Sequence, residues 1–312
     1  MPLLKRLVPA CCVAGAVAAS VALVLWIAAT PRVLTAADLP VHEADPGHGR
    51  LVYHAAGCNA CHATPDARGD DKQILAGGHR LESPYGVFVA PNISPDPVDG
   101  IGDWTALEFV NAVMYGVAPD GSHYYPAFPY LSYQHMTIGD VLDLKAYMDT
   151  LPAVTGRAAD NELPLPLRLR RGIGLWKLLY MGKALPALPA GADAEVIRGA
   201  YLVNGPGHCG ACHTPRTPFG GLDGNLAFSG APDPAGEGTV PNITPSDDGI
   251  GDWSVSDIEA ALRTGLLPDW DTFGGTMIAV QENMAQLPEE DRLAIAAYLL
   301  SLPPKPNSWA VE

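Results

Sequence analysis

The chain has 312 residues, room for two domains of ordinary size plus a terminal segment. Its 34 acidic residues outnumber 19 basic ones, giving a net charge of −15. That balance argues against nucleic-acid binding and suits either the steering of a basic partner or a plainly solvated face.

Lys5 and Arg6 precede an uncharged run from Leu7 to Thr30, about 24 residues. This exceeds the usual ~7–15-residue apolar core of a secretory signal and matches the ~20 residues that span a bilayer. Positive charge on the short side predicts that this end stays cytoplasmic. The expectation is an uncleaved N-terminal transmembrane helix within residues 1–37, with Thr35-Ala36-Ala37 as the competing small-residue cleavage site. Cys11 and Cys12 read as small apolar residues of that span. Residues 31–46, with Pro31, Pro40 and Pro46, read as a tether. The only charges before Asp38 are basic (Lys5, Arg6 and Arg32), so the remainder, from Asp38 onward, is more acidic than the chain as a whole.

From about His48, the run Gly49-Arg50-Leu51-Val52-Tyr53 leads into Cys58-Asn59-Ala60-Cys61-His62. Cys-x-x-Cys-His is the attachment signature of c-type haem. Two thiols three residues apart on one turn can each add to a haem vinyl group as thioethers, and the next residue places its imidazole under the ring as the proximal iron ligand. A bare Cys-x-x-Cys also fits a redox dithiol or half of a zinc site. Neither of those needs His immediately afterwards. Neither explains why the pentapeptide returns 151 residues later as Cys209-Gly210-Ala211-Cys212-His213. The sequence therefore predicts two covalently bound haem c groups, on Cys58, Cys61 and His62 and on Cys209, Cys212 and His213. No other exported cysteine remains for a disulfide, a further ligand or a nucleophile. Covalent haem attachment takes place outside the bacterial cytoplasm, so both haem domains are expected in the periplasm, tethered by a single-pass anchor in the inner membrane.

The repeat extends beyond the pentapeptide, and a repeat fixes architecture. Pro91-Asn92-Ile93-Ser94-Pro95 returns as Pro241-Asn242-Ile243-Thr244-Pro245, and Gly100-Ile101-Gly102-Asp103-Trp104 as Gly249-Ile250-Gly251-Asp252-Trp253. Thr105-x-x-Glu108 and Ser254-x-x-Asp257 then fit the capping box that opens a helix. Leu107, Val110, Met114 and Val117 follow at helical spacing, as do Ile258, Ala261 and Leu262. Leu144, Tyr147, Met148 and Leu151 form a closing helical stripe, matched by Ile295, Tyr298, Leu299 and Leu302, with Pro152 and Pro303 as stops. The predicted fold is all-α: two tandem class I-like cytochrome c domains, residues 38–152 and 194–312, after the transmembrane helix. Residues 153–193 are too long for a simple connection. They hold Arg168, Arg170, Arg171 and Trp176-Lys177-Leu178-Leu179-Tyr180, which read as a linker helix packed between domains or as a docking or membrane-interface surface.

With these residues in view, the chain resembles the multihaem cytochrome c subunits of bacterial membrane-bound dehydrogenases of the alcohol, gluconate and sugar type. The matching segments are Gly77-Gly78 through Tyr85-Gly86, Pro91-Asn92-Ile93, Gly100-Ile101-Gly102-Asp103-Trp104 and Tyr125-Pro126-Ala127-Phe128-Pro129-Tyr130. Asn161, Arg171 and Trp176 of the bridge match too, as does His208-Cys209 through Arg216. The likeness covers roughly residues 48–304. Many members carry three haem motifs, whereas this chain has two.

A low-spin electron-transfer haem needs a sixth ligand, usually Met. Met114 and Met148 fit the apolar stripes of helices. Met136 lies between Pro129 and the closing helix, where a ligand loop belongs, and the resemblance implies the same place when Phe128 replaces Met in the Pro-Ala-Phe-Pro-Tyr motif. His135 beside it is the weaker candidate. Met277, after Gly274-Gly275, resembles the family's Gly-Gly-x-Met ligand segment, whereas Met284 reads as helical. Trp104, Trp253, Arg68, Arg80 and Arg216 are candidates for propionate contacts, with core packing the competing role of the two tryptophans. His42, His48, His54, His79, His123 and His208 show no metal-like spacing and read as bystanders.

The expected function is electron transfer from an extracytoplasmic dehydrogenase partner toward quinone, a soluble cytochrome or a terminal oxidase, with no catalytic residues of its own. The rival readings are a dihaem peroxidase or thiosulfate-oxidising enzyme and the dihaem subunit of a haem–copper oxidase. The peroxidase needs an open or displaceable iron site, and the thiosulfate-oxidising enzyme often uses a cysteine ligand. The Pro-Asn-Ile and Gly-Ile-Gly-Asp-Trp repeats resemble the dehydrogenase group instead of the oxidase subunit.

Overall fold

Each half of the chain closes by laying its first helix across its last. After α1 (Pro2–Ala28), the first half runs through α2 (Pro46–Ala56), α3 (Cys58–His62), β1 (Arg80–Ser83), β2 (Gly86–Val89), α4 (Ala106–Tyr115), α5 (Tyr130–Tyr133) and α6 (Ile138–Met148). A bridge with α7 (Leu165–Arg168) and α8 (Arg171–Tyr180) leads to the second half. That half comprises α9 (Ala194–Asn204), α10 (Gly210–His213), β3 (Ala231–Pro232), β4 (Thr239–Val240), α11 (Val255–Thr264), α12 (Met277–Met284) and α13 (Glu289–Ser301). The computed structural model describes residues 2–183, 185–233 and 238–308, without the side chains of residues 2–12.

The helix crossings depend on glycine. At Gly49, where α2 meets α6, an added Cβ would sit 1.9 Å from the Asp143 carbonyl oxygen. At Gly199, where α9 meets α13, it would sit 1.8 Å from the Ala294 carbonyl oxygen. Only a residue without a side chain lets these backbones approach so closely. Around the first crossing, Val52, Tyr53, Val110, Val141, Leu144 and Met148 form a buried core. Leu202, Val203, Ile258, Ile295, Ala296 and Tyr298 do so around the second. The Val, Leu, Ile and Met side chains among these each contribute roughly 1.5–3 kcal/mol by leaving water.

Both expected capping boxes are present. Thr105 accepts from the Glu108 N–H while Glu108 accepts from the Thr105 N–H, and Ser254 and Asp257 do the same. Both helices then end on a left-handed glycine, Gly116 and Gly265.

Two features correct the all-α expectation with its transmembrane helix. First, each half carries a short antiparallel hairpin just before its Pro-Asn-Ile segment, β1–β2 and β3–β4. In the first, Ser83 pairs with Gly86 across Pro84 and Tyr85. Proline presets the turn, Gly86 takes a φ of 118°, and the Ser83 hydroxyl donates to the Gly86 carbonyl at 2.7 Å. Second, no helix among the described residues is long and apolar enough to cross a membrane. α1 runs from Pro2 to Ala28, with its side chains described from Val13 onward. Much of that length is Ala, Gly and Ser, and its last turn is held by protein groups. Arg171 donates to the Trp26 carbonyl at 2.9 Å, and His123 Nε2 lies 2.9 Å from the Ala29 carbonyl. The side chains of Lys5 and Arg6, on which the orientation argument rested, and those of Cys11 and Cys12 lie outside the described residues.

The bridge is packed between the halves. Asn161 accepts from the Val89 N–H at 2.8 Å, and Lys177 of α8 donates to the carbonyls that end α4. On the other side Trp176 donates to the Phe219 carbonyl at 2.9 Å, and the Tyr180 and Thr217 hydroxyls share a hydrogen bond of 2.7 Å.

Candidate haem centres

The two pentapeptides are held in the same way. Gly57, left-handed at φ 59°, ends α2 and starts the one-turn helix α3 that carries Cys58, Cys61 and His62. The second motif follows α9 after a slightly longer link through Gly205 to His208, the last of these at φ 38°. His62 donates from Nδ1 to the Pro91 carbonyl at 2.9 Å, and His213 from Nδ1 to the Pro241 carbonyl at 2.7 Å. A carbonyl only accepts, so each ring carries its proton on Nδ1 and leaves the Nε2 lone pair free. Burial pushes both imidazoles below their ordinary pKa, outweighing the carbonyl's opposite pull. Neutral imidazole is the form that binds iron.

The sulfurs fit thioether attachment better than thiolate chemistry. Burial pushes the Cys58 and Cys209 thiols up to about 12, and raises Cys61 and Cys212 as well. Among the described residues no cluster of His, Cys, Asp and Glu is placed to hold a metal ion.

The repeated Pro-Asn-Ile now has a physical role that sequence reasoning did not assign. The proline carbonyl orients the histidine, and the asparagine holds the proline. Asn92 donates to the Val154 and Gly156 carbonyls and accepts from the Ser94 N–H. Asn242 donates to the Lys305 carbonyl and accepts from the Thr244 N–H. Each ties the histidine's partner to the segment that follows the closing helix. The recurrence of Pro-Asn-Ile at a fixed place after each motif was the available signal.

The candidate sixth ligands sit at different places. Met136, 5 % exposed, packs in the first core between α5 and α6. Met277 is half-buried at the first residue of α12, packed against the second core, as are Cys209 and Ile243. Counted from the glycine caps Gly116 and Gly265, Met277 corresponds to Phe128. Counted back from Thr137 and Pro288, the N-caps of α6 and α13, Met136 corresponds to Leu287. Met114 and Met148 are buried within helices of the first core, and Met284 is buried at the end of α12. Burial lowers the pKa of His135. Trp104 and Trp253 are partly buried against the two cores. Arg80 is engaged bidentately by Glu162 at 2.8 and 2.9 Å, and Arg216 donates to the Gly220 and Ala211 carbonyls. Arg68 is exposed.

The fold brings the two motifs together. His208, the residue before Cys209, places its Nε2 3.4 Å from the Ala56 carbonyl, two residues before Cys58, so the two attachment segments adjoin. His54 and His208, read as bystanders, are both in the seam between them. Their partners are 229 and 152 residues away, beyond the reach of any local pattern.

No family model matches the chain. It is 47% identical over 259 residues to the diheme cytochrome c-type protein of Cereibacter sphaeroides, covering 83% of this chain and 86% of that one. The chain belongs to the dihaem c-type cytochromes. This cytochrome accordingly carries two covalently bound haem c groups and acts in electron transfer rather than as a catalytic subunit. It is also 39% identical over 269 residues to the cytochrome c subunit of the quinone alcohol dehydrogenase of Komagataeibacter europaeus, covering 83% of this chain and 56% of that one. Against the gluconate 2-dehydrogenase cytochrome c subunit of Pantoea cypripedii, identity is 34% over 284 residues, covering 88% and 63%. The cytochrome thus matches little more than half the length of these dehydrogenase subunits.

Proposed function

We propose that this cytochrome takes electrons from an extracytoplasmic dehydrogenase subunit and passes them through its two haem-bearing domains, residues 38–152 and 194–312, to an acceptor in the respiratory chain. Quinone, a soluble cytochrome and a terminal oxidase are the acceptor classes. Haem c, when bound, supplies one-electron ferric–ferrous chemistry. Cys58 and Cys61, and Cys209 and Cys212, carry the thioether links; His62 and His213 are the proximal ligands and Met136 and Met277 the sixth. The Pro91 and Pro241 carbonyls fix the two rings, and the surrounding burial keeps them neutral. The observation that carries the reading is the packing of two attachment segments across one seam, in a chain whose relatives include cytochrome subunits of dehydrogenases.

The test rests on coordination number. With both sixth positions filled, the reduced holoprotein binds carbon monoxide slowly and substoichiometrically, shows negligible peroxidase turnover, and is reduced at both haems by a substrate-reduced dehydrogenase subunit. Fast stoichiometric carbon monoxide binding at one haem would instead support a dihaem peroxidase.

A further inference from the structure

A buried amide joins the two haem motifs. Asn283, 3 % exposed, lies in the last turn of α12. Its Nδ2 donates to Asn59 Oδ1 at 2.6 Å and to the Ala279 carbonyl at 2.9 Å, and its Oδ1 accepts from His54 Nδ1 at 3.0 Å. Asn59 is the first variable residue of Cys58-Asn59-Ala60-Cys61-His62. Burial holds His54 below its ordinary pKa, which keeps the ring neutral. Next to Asn283, Glu282 forms an ion pair with Lys72 of the first half. One helix therefore begins at Met277, the candidate ligand of the second haem, and ends gripping the attachment turn of the first.

The grip is returned. The Thr137 N–H, beside Met136, donates to the Tyr201 hydroxyl at 3.2 Å. An added Cβ on Gly205, four residues before Cys209, would meet the Met136 side chain at 3.7 Å. His208 packs edge-on against Tyr133 of α5 with ring centroids 5.6 Å apart. Each half's ligand segment thus rests on the other half's attachment segment.

We propose that this reciprocal clamp couples the two haem centres, with Asn283 of the second half acting as a positioning residue for the centre on His62. Resting on Met136 and Met277 as sixth ligands, the coupling works by shared displacement. α12 cannot shift without breaking a buried amide contact and leaving its polar atoms unsatisfied. The five-residue turn α3 passes any shift of Asn59 on to His62. Coupling of this kind is reciprocal by thermodynamic necessity.

The experiment is a haem-resolved spectroelectrochemical titration of the holoprotein with Asn283→Leu, Asn59→Leu and both together. Asn283→Leu is expected to keep two haems per chain and the thioether band of the His213 haem. It should change the reduction equilibrium of the His62 haem by about fivefold, ~40 mV for one electron. Asn59→Leu should give the same shift, and the double variant no more than either single one. Met277→Ala should also move the His62 haem in the parent protein and fail to do so with Asn283→Leu. An unmoved His62 potential in Asn283→Leu, or additive shifts in the double variant, overturns the coupling; Asn283→Ser serves where Leu prevents folding. If Met277→Ala leaves the His213 haem spectrum intact, the ligand assignment is what fails, and the Asn283–Asn59 cycle still decides the coupling.

Discussion

The two halves share a scaffold and differ in what surrounds the haem. In each, a glycine on the first helix meets a backbone carbonyl on the last, and a proline carbonyl orients the proximal histidine. The residue before that glycine then reaches an aspartate on the closing helix. In the second half this is Arg198 on Asp291, bidentate at 2.7 and 2.9 Å. In the first it is His48 near Asp140 at 3.4 Å, and Asp140 also accepts a hydrogen bond from the Tyr201 hydroxyl of the other half. At this position the second half pairs within itself, while the first half's aspartate is shared with its neighbour. Duplication thus kept the elements that hold the ring and varied those that set its environment and its contacts.

The largest effects should come from breaking what the halves share. Gly49→Ala and Gly199→Ala each place a Cβ within 2 Å of a carbonyl oxygen. That overlap should destabilise its half by more than ~4 kcal/mol. Denaturant unfolding followed at each haem's own absorption should show loss of one half's cooperative transition per variant. If both variants unfold like the parent, the crossing is looser than the structure has it.

Next come the differences in ligation. Met136→Ala and Met277→Ala should each abolish one haem's thioether absorption and lower its potential, leaving covalent haem at two per chain. Met148→Ala, in the first core, should instead cost about 2–5 kcal/mol of stability and leave both spectra alone. The comparison sharpens with an exchange: Phe128→Met combined with Met136→Leu gives the first half the residues of the second. Return of the band in that double variant would establish that the loop can supply its thioether from either end. A silent Met136→Ala with a spectral change in Met114→Ala would reverse the assignment.

Much of this was legible because it is local and repeated. The pentapeptides, the capping boxes at Thr105 and Ser254 and the closing stripes each lie within a few residues, and each occurs twice. The hairpin β1–β2 was missed although Ser83-Pro84-Tyr85-Gly86 is a turn signal, since the helical plan left it no place. The transmembrane reading rested on the uncharged run from Leu7 to Thr30, whose first six side chains lie outside the described residues. The seam was illegible for a different reason. Asn59, His54, His208 and Asn283 are unremarkable polar residues until the fold sets them face to face, and a contact across 224 residues leaves no periodicity.

The smallest expected effect concerns how the helix before each ligand segment is capped. In the second half, the last carbonyls of α11, on Leu262 and Arg263, accept from the Gln281 amide at 3.4 and 3.0 Å. In the first, the Tyr115 and Gly116 carbonyls accept from Lys177 Nζ at 2.6 and 2.8 Å, with the Tyr130 ring 4.4 Å below the nitrogen. An amide does not titrate in the accessible range, whereas burial pushes the Lys177 pKa down to about 7. The unfolded lysine keeps its proton to about 10.4. Between these values the unfolded chain binds more protons than the folded one, so stability must rise with pH. The neutral amine retains two N–H groups and can still cap both carbonyls, so no contact is lost as the proton leaves. Tyr53, Tyr130 and Tyr133 work the other way: burial raises their pKa, and their deprotonation in the unfolded chain removes stability above about pH 10. The informative window is therefore about pH 7 to 9.5. There the unfolding midpoint reported by the His62 haem should climb more steeply than that of the His213 haem, whose half holds, among the described lysines, only the less buried Lys305 with a lowered pKa, and Lys177→Met should flatten the steeper climb. An unchanged slope in Lys177→Met would show that the cap carries its charge throughout, and the two halves would then be alike in their response to pH.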